Sequence, residues 1–280
     1  MSNLKICAFA DEADSSVDGQ IKALNDNGVE YIEVRGVDGK NISDITAAEA
    51  KELYSRYTNG GIKVWSIGSP IGKINIDDDF DKEMERFKRT VETGVIMQAK
   101  CIRLFSFYGT GGKKEYADKV FERLSKYVDA AKGSGLTLCH ENEKGIYGEL
   151  APQCLEILKA IPEIKCVFDP ANFIQASQDI PEAWEMLKSY VCYHHIKDAT
   201  ANGDVVPPGY GIAGMKKYLA EYSAMGGGVL TVEPHLTAFV GLDKLAKEDE
   251  RNHMGRFSFG SSSEAFAFAI SSLRDVIKDI

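Results

Sequence analysis

The sequence predicts one (β/α)8 TIM barrel spanning residues 1–280, and three observations carry that expectation. Short β-branched runs return at intervals of about 30 residues, too far apart for hairpins but right for βα units. An amphipathic helical stretch lies between each run and the next. No linker, low-complexity tract or block of like charge divides the chain. Strict alternation of strand and helix makes a parallel sheet covered by helices, and eight units in 280 residues close it into a barrel.

The expected strands are KICAF (5–9), EYIEVRG (30–36), IKVWSIG (62–68), KCIRLFSF (100–107), LTLCHE (136–141), IKCVFD (164–169), VCYHHI (191–196) and GVLTVE (228–233). Between them, Val17, Ile21 and Leu24 fall on one helical face, as do Phe80, Met84, Phe87 and Val91, and later Phe121, Leu124, Val128 and Ala131. The last helix repeats the pattern with Phe266, Ile270, Leu273 and Ile277, and Ser261 with Glu264 stand in capping-box positions before it. Gly28, Gly60-Gly61, Gly135 and Gly226-Gly227-Gly228 sit where helices should stop ahead of a strand. No G-x-G-x-x-G follows the first strand, so a dinucleotide-binding fold has no support.

With 44% hydrophobic and 27% charged residues the composition is that of a globular protein, and its formal charge of −9 disfavours nucleic acid as a partner. Cys7, Cys101, Cys139, Cys154, Cys166 and Cys192 form no C-x-x-C and sit mostly in apolar runs, so they read as small buried hydrophobes in a reducing compartment. The opening MSNLKICAFADEADSS lacks a signal pattern, and no apolar run reaches membrane-spanning length. A cytoplasmic protein without a membrane partner is the expectation.

In such a barrel the chemistry belongs at the C-terminal ends of the strands. There, strand five delivers Glu141, strand six Asp169, strand seven the run HHIKD, and strand eight Glu233. Side chains alternate across a strand, which groups Thr137, Cys139 and Glu141, then Tyr193, His195 and Lys197, then Thr231 and Glu233, on interior faces. His195 is therefore the candidate ligand, and His194 turns outward to pack against a helix. Three carboxylates converging in one mouth repel one another unless a cation lies between them. Two Glu, one Asp and one His suit a single divalent metal ion (Mn, Mg, Co, Fe or Zn) in an open site.

HEN after strand five, DPAN after strand six, HIKD after strand seven and EPH after strand eight resemble the xylose-isomerase-like barrel superfamily, closest to its sugar phosphate isomerase/epimerase group. SIGSPIGK (66–73) and IRLFSFY (102–108) extend the resemblance over essentially the whole chain. It implies that Glu141, Asp169, His195 and Glu233 bind one divalent metal. It further implies that Glu141 and Glu233 serve as acid and base on opposite faces of a small-molecule sugar, passing a proton through a metal-bound enediolate. Trp65, Lys73, Arg103, His140, Asn172, Lys197 and His235 are the candidate substrate contacts. Lys73, Arg103 and Lys197 would supply positive charge to a phosphate or carboxylate, or else pair with nearby carboxylates. Phe105, Phe107 and Tyr108 join Trp65 as aromatics expected near the mouth.

Two departures bear on the substrate. Asn172 stands where many relatives have histidine, and Ala201 stands where ketose 3-epimerases have arginine. Three rivals share the fold: a lyase or dehydratase beginning with the same proton abstraction, a DNA-repair endonuclease needing further histidines on strands two and three, and a sugar-binding barrel without catalysis. Strands two and three carry no histidine, which counts against the second. The segment 236–261, with His253, is long for a βα loop and reads as a lid or a subunit contact in a homo-oligomer.

Overall fold

The computed structural model describes residues 3–237 and 257–280. Eight parallel strands close into a barrel: β1 Lys5–Ala8, β2 Tyr31–Val34, β3 Lys63–Ile67, β4 Cys101–Leu104, β5 Thr137–Glu141, β6 Lys165–Phe168, β7 Val191–Ile196 and β8 Val229–Val232. Each strand pairs with its sequence neighbours, and β8 closes on β1 with Lys5 opposite Val229 and Cys7 opposite Thr231. All eight lie within the expected runs; β7 matches its run in full and the others are shorter by one or more end residues. Two minor antiparallel ribbons, Gly36–Val37 with Lys40–Asn41 and Asp198–Ala199 with Val205–Val206, decorate the loops after β2 and β7.

The helices are α1 Val17–Asp26, α2 Ala47–Asn59, α3 Phe80–Ile96, α4 Ala117–Ala131, α5 Ala151–Ala160, α6 Pro170–Gln175, α7 Ile180–Leu187, α8 Met215–Ala224 and α9 Ser262–Ile277. Their starts are set by side chains that accept from otherwise unpaired amides: Ser16 from Gly19, Asp79 from Lys82, and Ser261 from Glu264. The reciprocal capping box forms at Thr46 and Glu49. At α9 only half of it forms, because the Glu264 carboxylate accepts from the Gly260 amide instead.

The apolar helix faces meet the outward side chains of the strands in one large core that includes Leu24, Phe87, Leu124, Phe168 and Phe266. A second, smaller cluster fills the barrel itself: Cys7, Cys101, Cys139, Val167, Tyr193 and Val229, with Tyr31, Trp65 and Cys192 packed on it. Two strand irregularities shape that interior. Ile32 pairs with Val64 but Glu33 with Ser66, leaving Trp65 as an extra residue on β3, and Cys166 pairs with Val191 but Val167 with Tyr193, leaving Cys192 extra on β7. The segment expected to act as a lid or subunit contact lies largely outside the described residues, and His253 wholly so. Among the described residues no helix is long and apolar enough to cross a membrane.

Candidate metal centre

Glu141 is the last residue of β5, Asp169 and Glu233 directly follow β6 and β8, and His195 lies near the end of β7. All four are buried, and one ligand atom from each comes within 4.8 Å of the others. The two oxygens of Asp169 divide their roles. One caps α6 by accepting from the Asn172 amide at 2.9 Å, while Oδ2 is buried without a well-aligned hydrogen bond. The ammonium of Lys197 stands 3.2 Å from Oδ2 as an ion contact.

His195 is held from both sides. Its Nδ1 lies 2.8 Å from Glu141 Oε1 and its Nε2 3.2 Å from Glu33 Oε2. Glu33 is itself fixed, accepting from Tyr193 OH at 2.9 Å and Thr231 Oγ1 at 3.1 Å. A carboxylate behind a histidine sets its tautomer and aims the other ring nitrogen at a metal, so Glu33 supports His195 as a ligand through Nδ1. Burial opposes a charge on the ring, but Glu141 and Glu33 outweigh it and lift His195 to about 10 when no metal is bound.

The carboxyls differ. Burial would raise Glu141, yet His195 and Arg103, whose Nη1 donates at 3.1 Å, bring it down to about 2. Glu233 is also held low against burial, chiefly by Lys197, with His235 and His195 adding to it. Asp169 goes the other way: burial pushes it up to about 6, with Lys197 only partly offsetting that.

Arg35 joins the mouth to β1. It donates to Glu233 Oε1 at 2.9 Å, to both Asp11 oxygens at 2.9 and 3.1 Å, and to Glu12 Oε1 at 3.0 Å, with its guanidinium over the Phe9 ring. His235 Nε2 lies 3.2 Å from Glu233 Oε1, and the His235 amide donates to Glu12 Oε2 at 2.6 Å. The charge argument for a metal is thus met in part by the chain's own cations. Among the described residues, Arg35, Arg103 and Lys197 face Asp11, Glu12, Glu33, Glu141, Asp169 and Glu233, which leaves three negative charges once His195 gives up its proton, as a metal ligand must. A divalent cation fits that residual charge, the Asp169 Oδ2 that lacks a well-aligned hydrogen bond, and the oxygen-rich donor set.

The other expected contacts sort clearly. Lys197 bridges Asp169 and Glu233 Oε2 at 3.2 and 3.3 Å. Asn172 reaches toward Glu141 Oε1 at 3.5 Å while donating to the Asn142 carbonyl. Lys73 sits beside the Phe105 ring and pairs with Glu143 at 2.6 Å. Trp65 and His140 do not join the cluster. Trp65 belongs to the lower barrel layer, edge-on to Tyr193 and lining a depression with Asn3, Lys5 and Val229 at the N-terminal end of the strands. His140 faces the helix layer, with Nε2 2.9 Å from Ser106 Oγ, and burial brings it down to about 4, so it is neutral. Phe107 also packs outward, against Phe80 and Tyr127. His194 lies among Phe168, Trp184, Tyr218 and Tyr222, as the alternation of β7 predicts. Sequence reasoning missed Glu33 and Arg35, although both have inward parity in EYIEVRG, and Asp11 and Glu12 directly after the first strand.

A parallel barrel with a carboxylate–imidazole cluster at the C-terminal mouth is the class of protein these features define. Residues 21–251 match the xylose isomerase-like TIM barrel family, and the chain belongs to it. No curated protein sequence matches the chain. Among solved structures, a D-allulose 3-epimerase from Methylomonas sp. superposes with a TM-score of 0.75 at 16% identity, covering 99% of each chain. A probable 3-DHS dehydratase, AsbF, from Bacillus anthracis gives 0.74 at 13% identity over 96% of this chain and 98% of that one. An IolI protein with a bound zinc atom gives 0.73 at 17% identity over 98% of each. At these identities the likeness is one of fold.

Proposed function

We propose that this chain is a divalent-metal-dependent sugar or sugar phosphate isomerase or epimerase in which Glu141 and Glu233 move the proton. The observation that carries the reading is the convergence of four buried ligand atoms, from Glu141, Asp169, His195 and Glu233, within 4.8 Å of one another. When bound there, a divalent cation would polarise a substrate carbonyl and the neighbouring hydroxyl, which acidifies the C–H between them.

The remaining work falls to side chains. Glu141 and Glu233 project from strands three places apart around the barrel, so they address a small substrate from different sides. One removes the proton, and the other returns it on the opposite face for epimerisation. Return to the adjacent carbon gives aldose–ketose isomerisation. Because Glu141 and Glu233 are both held low, the one acting as acid must first receive a proton. His235, 3.2 Å from Glu233 and 19% exposed, offers a route from solvent. Lys73, paired with Glu143 at the rim, and Asn172, which donates to the Asn142 carbonyl, would each have to exchange that partner for a substrate oxygen. Similar structures described as ketose 3-epimerases support the reading, as does the zinc reported in the IolI protein. Ala201, in place of the arginine of ketose 3-epimerases, means that substrate contacts there differ from those of a free-ketose 3-epimerase.

Elemental analysis of wild type beside His195→Ala and Glu233→Gln tests the site, followed by incubation of keto-sugars in deuterated water. About one metal per chain is expected, with the larger loss in His195→Ala because a glutamine still offers an oxygen. Deuterium should then enter a product of the substrate's own skeleton. A product lighter by water would place the chain with the dehydratases. A wild type that binds no metal even when metal is supplied at neutral pH sinks the proposal.

A further inference from the structure

The barrel has a second cluster of metal-ligating side chains, at the end opposite the mouth. Cys101 on β4, Cys139 on β5 and Cys192 on β7 bring their sulfurs within 4.8 Å of one another, with Cys101 and Cys192 Sγ 3.8 Å apart. No spacing motif announces them, since Cys101 and Cys192 are 91 residues apart in sequence. All six cysteines are free thiols.

We propose that Cys101, Cys139 and Cys192 form a three-thiolate site for a thiophilic metal ion, Cu(I) or Zn(II) in class, distinct from the oxygen-rich mouth. The dimensions fit. A metal–sulfur bond of about 2.3 Å places three ligands around one ion about 4.0 Å apart, close to the 3.8 Å between Cys101 and Cys192 and inside the 4.8 Å that bounds the other pairs. Thiolates select soft ions, whereas carboxylates and one imidazole favour harder ones, so the two ends of the barrel discriminate by donor chemistry. Binding exchanges thiol protons for the ion, with no change of oxidation state at sulfur.

Local structure brings the third thiol in. Regular alternation would set Cys192 opposite in facing to Tyr193, but Cys192 is the extra residue of the β7 irregularity and turns toward Cys101. Barrel interiors are ordinarily filled by branched aliphatics. Here the layer is Cys7, Cys101, Cys139, Val167, Tyr193 and Val229, so sulfur takes half of those positions. Access exists as well. Cys101 and Cys139 are buried, Cys192 is partly exposed, and the other partly buried neighbours, Tyr31 and Trp65, line the depression at the N-terminal end of the strands.

The test is titration of the reduced, full-length protein with Cd(II), and separately with Cu(I) under argon, read by thiolate-to-metal charge-transfer absorption. Ions held by carboxylates and imidazole give no such band, so the mouth is silent and failure of either site is seen independently. One equivalent of chromophore is expected in wild type, unchanged in His195→Ala and lost in Cys192→Ala. Cys192→Ser serves as the second variant where circular dichroism shows the alanine protein misfolded, and Cys154→Ala, outside the cluster, should keep the band. Absence of the band in folded wild type with both ions, or its persistence in a folded Cys192 variant, overturns the proposal. So does recovery of a Cys101–Cys192 disulfide from protein that binds neither ion after reduction.

Discussion

Lys197→Met removes an ammonium that touches two of the candidate ligands, and its cost can be worked from the geometry. The Lys197 Nζ lies 3.2 Å from Asp169 Oδ2 and 3.3 Å from Glu233 Oε2, with 5% of the side chain exposed. At an effective dielectric constant of about 20, each contact is worth about 5 kcal/mol of Coulomb attraction, opposed by several kcal/mol for stripping water from the ammonium. Methionine keeps the apolar stem but leaves Asp169 and Glu233 facing one another. Breaking a buried pair from one side costs about 3–5 kcal/mol, a large part of the 5–15 kcal/mol by which a domain is commonly stable.

The pH dependence has a definite sign. Asp169 is already pushed up to about 6 by burial, and losing Lys197 raises it further. A carboxyl raised in the folded protein stabilises the fold below its unfolded value and loses that contribution as pH climbs through the folded value. The variant's deficit should therefore shrink between pH 7.5 and pH 5, where protonation of Asp169 removes the repulsion. Guanidinium denaturation with a chelator present, at both pH values, measures this. Divalent metal at about one hundred times its Kd should return about 2.7 kcal/mol. A deficit below about 1 kcal/mol at pH 7.5 in chelator would refute the role of Lys197 as internal counter-ion, since that is the scale of an exposed pair.

Further expectations concern the rest of the barrel. His194, held at about 3 by burial, is neutral in the fold but takes a proton on unfolding, so its contribution is present above pH 6.5 and lost as pH falls. His194→Phe should flatten the acid limb by about 1.4 kcal/mol per pH unit between about pH 6.5 and pH 4; parallel stability curves would contradict this. At Gly148 a Cβ would lie 2.3 Å from His140 Cε1 and 3.2 Å from Ser106 Oγ, so Gly148→Ala should cost about 1–3 kcal/mol in thermal unfolding while leaving metal affinity at the mouth unchanged. Glu141→Gln and Glu233→Gln should each lower solvent-proton exchange on a confirmed substrate by about 10²–10⁴-fold with the fold intact by circular dichroism. Equal exchange in either variant would remove that residue from the proton path.

Architecture was legible because the pattern that encodes it is local and repeated. A strand run, a capped amphipathic helix and a glycine stop can each be seen within a short window. The four-residue cluster at the mouth was legible for a related reason: each member lies at or beside a strand end, and alternation sorts His195 from His194. The same alternation points His140 outward and Glu33 and Arg35 inward, as the structure has them. Trp65 and Cys192 resisted this reasoning. Each is the extra residue of a strand irregularity, and one added residue reverses the facing of its neighbours without any mark in the sequence. Pairings such as Arg35 with Glu233, which directly follow β2 and β8, depend on barrel closure and cannot be seen along the chain.

The contrast between the two ends of the interior bears on what the mouth is for. A buried set of ion pairs is seldom the most stable filling for a barrel, since apolar side chains of similar volume often serve as well or better. The lower layer of this barrel shows that the chain can fill its interior with Val, Tyr and Cys. At the mouth, among the described residues, it instead holds six carboxylates against three fixed cations and the His195 imidazole, and it leaves Asp169 Oδ2 without a well-aligned donor there. Such an arrangement costs stability that packing alone would not require. Clustering at the end where barrels of this kind place their chemistry, it is better explained by charge that must be met during binding and reaction than by any need of the fold.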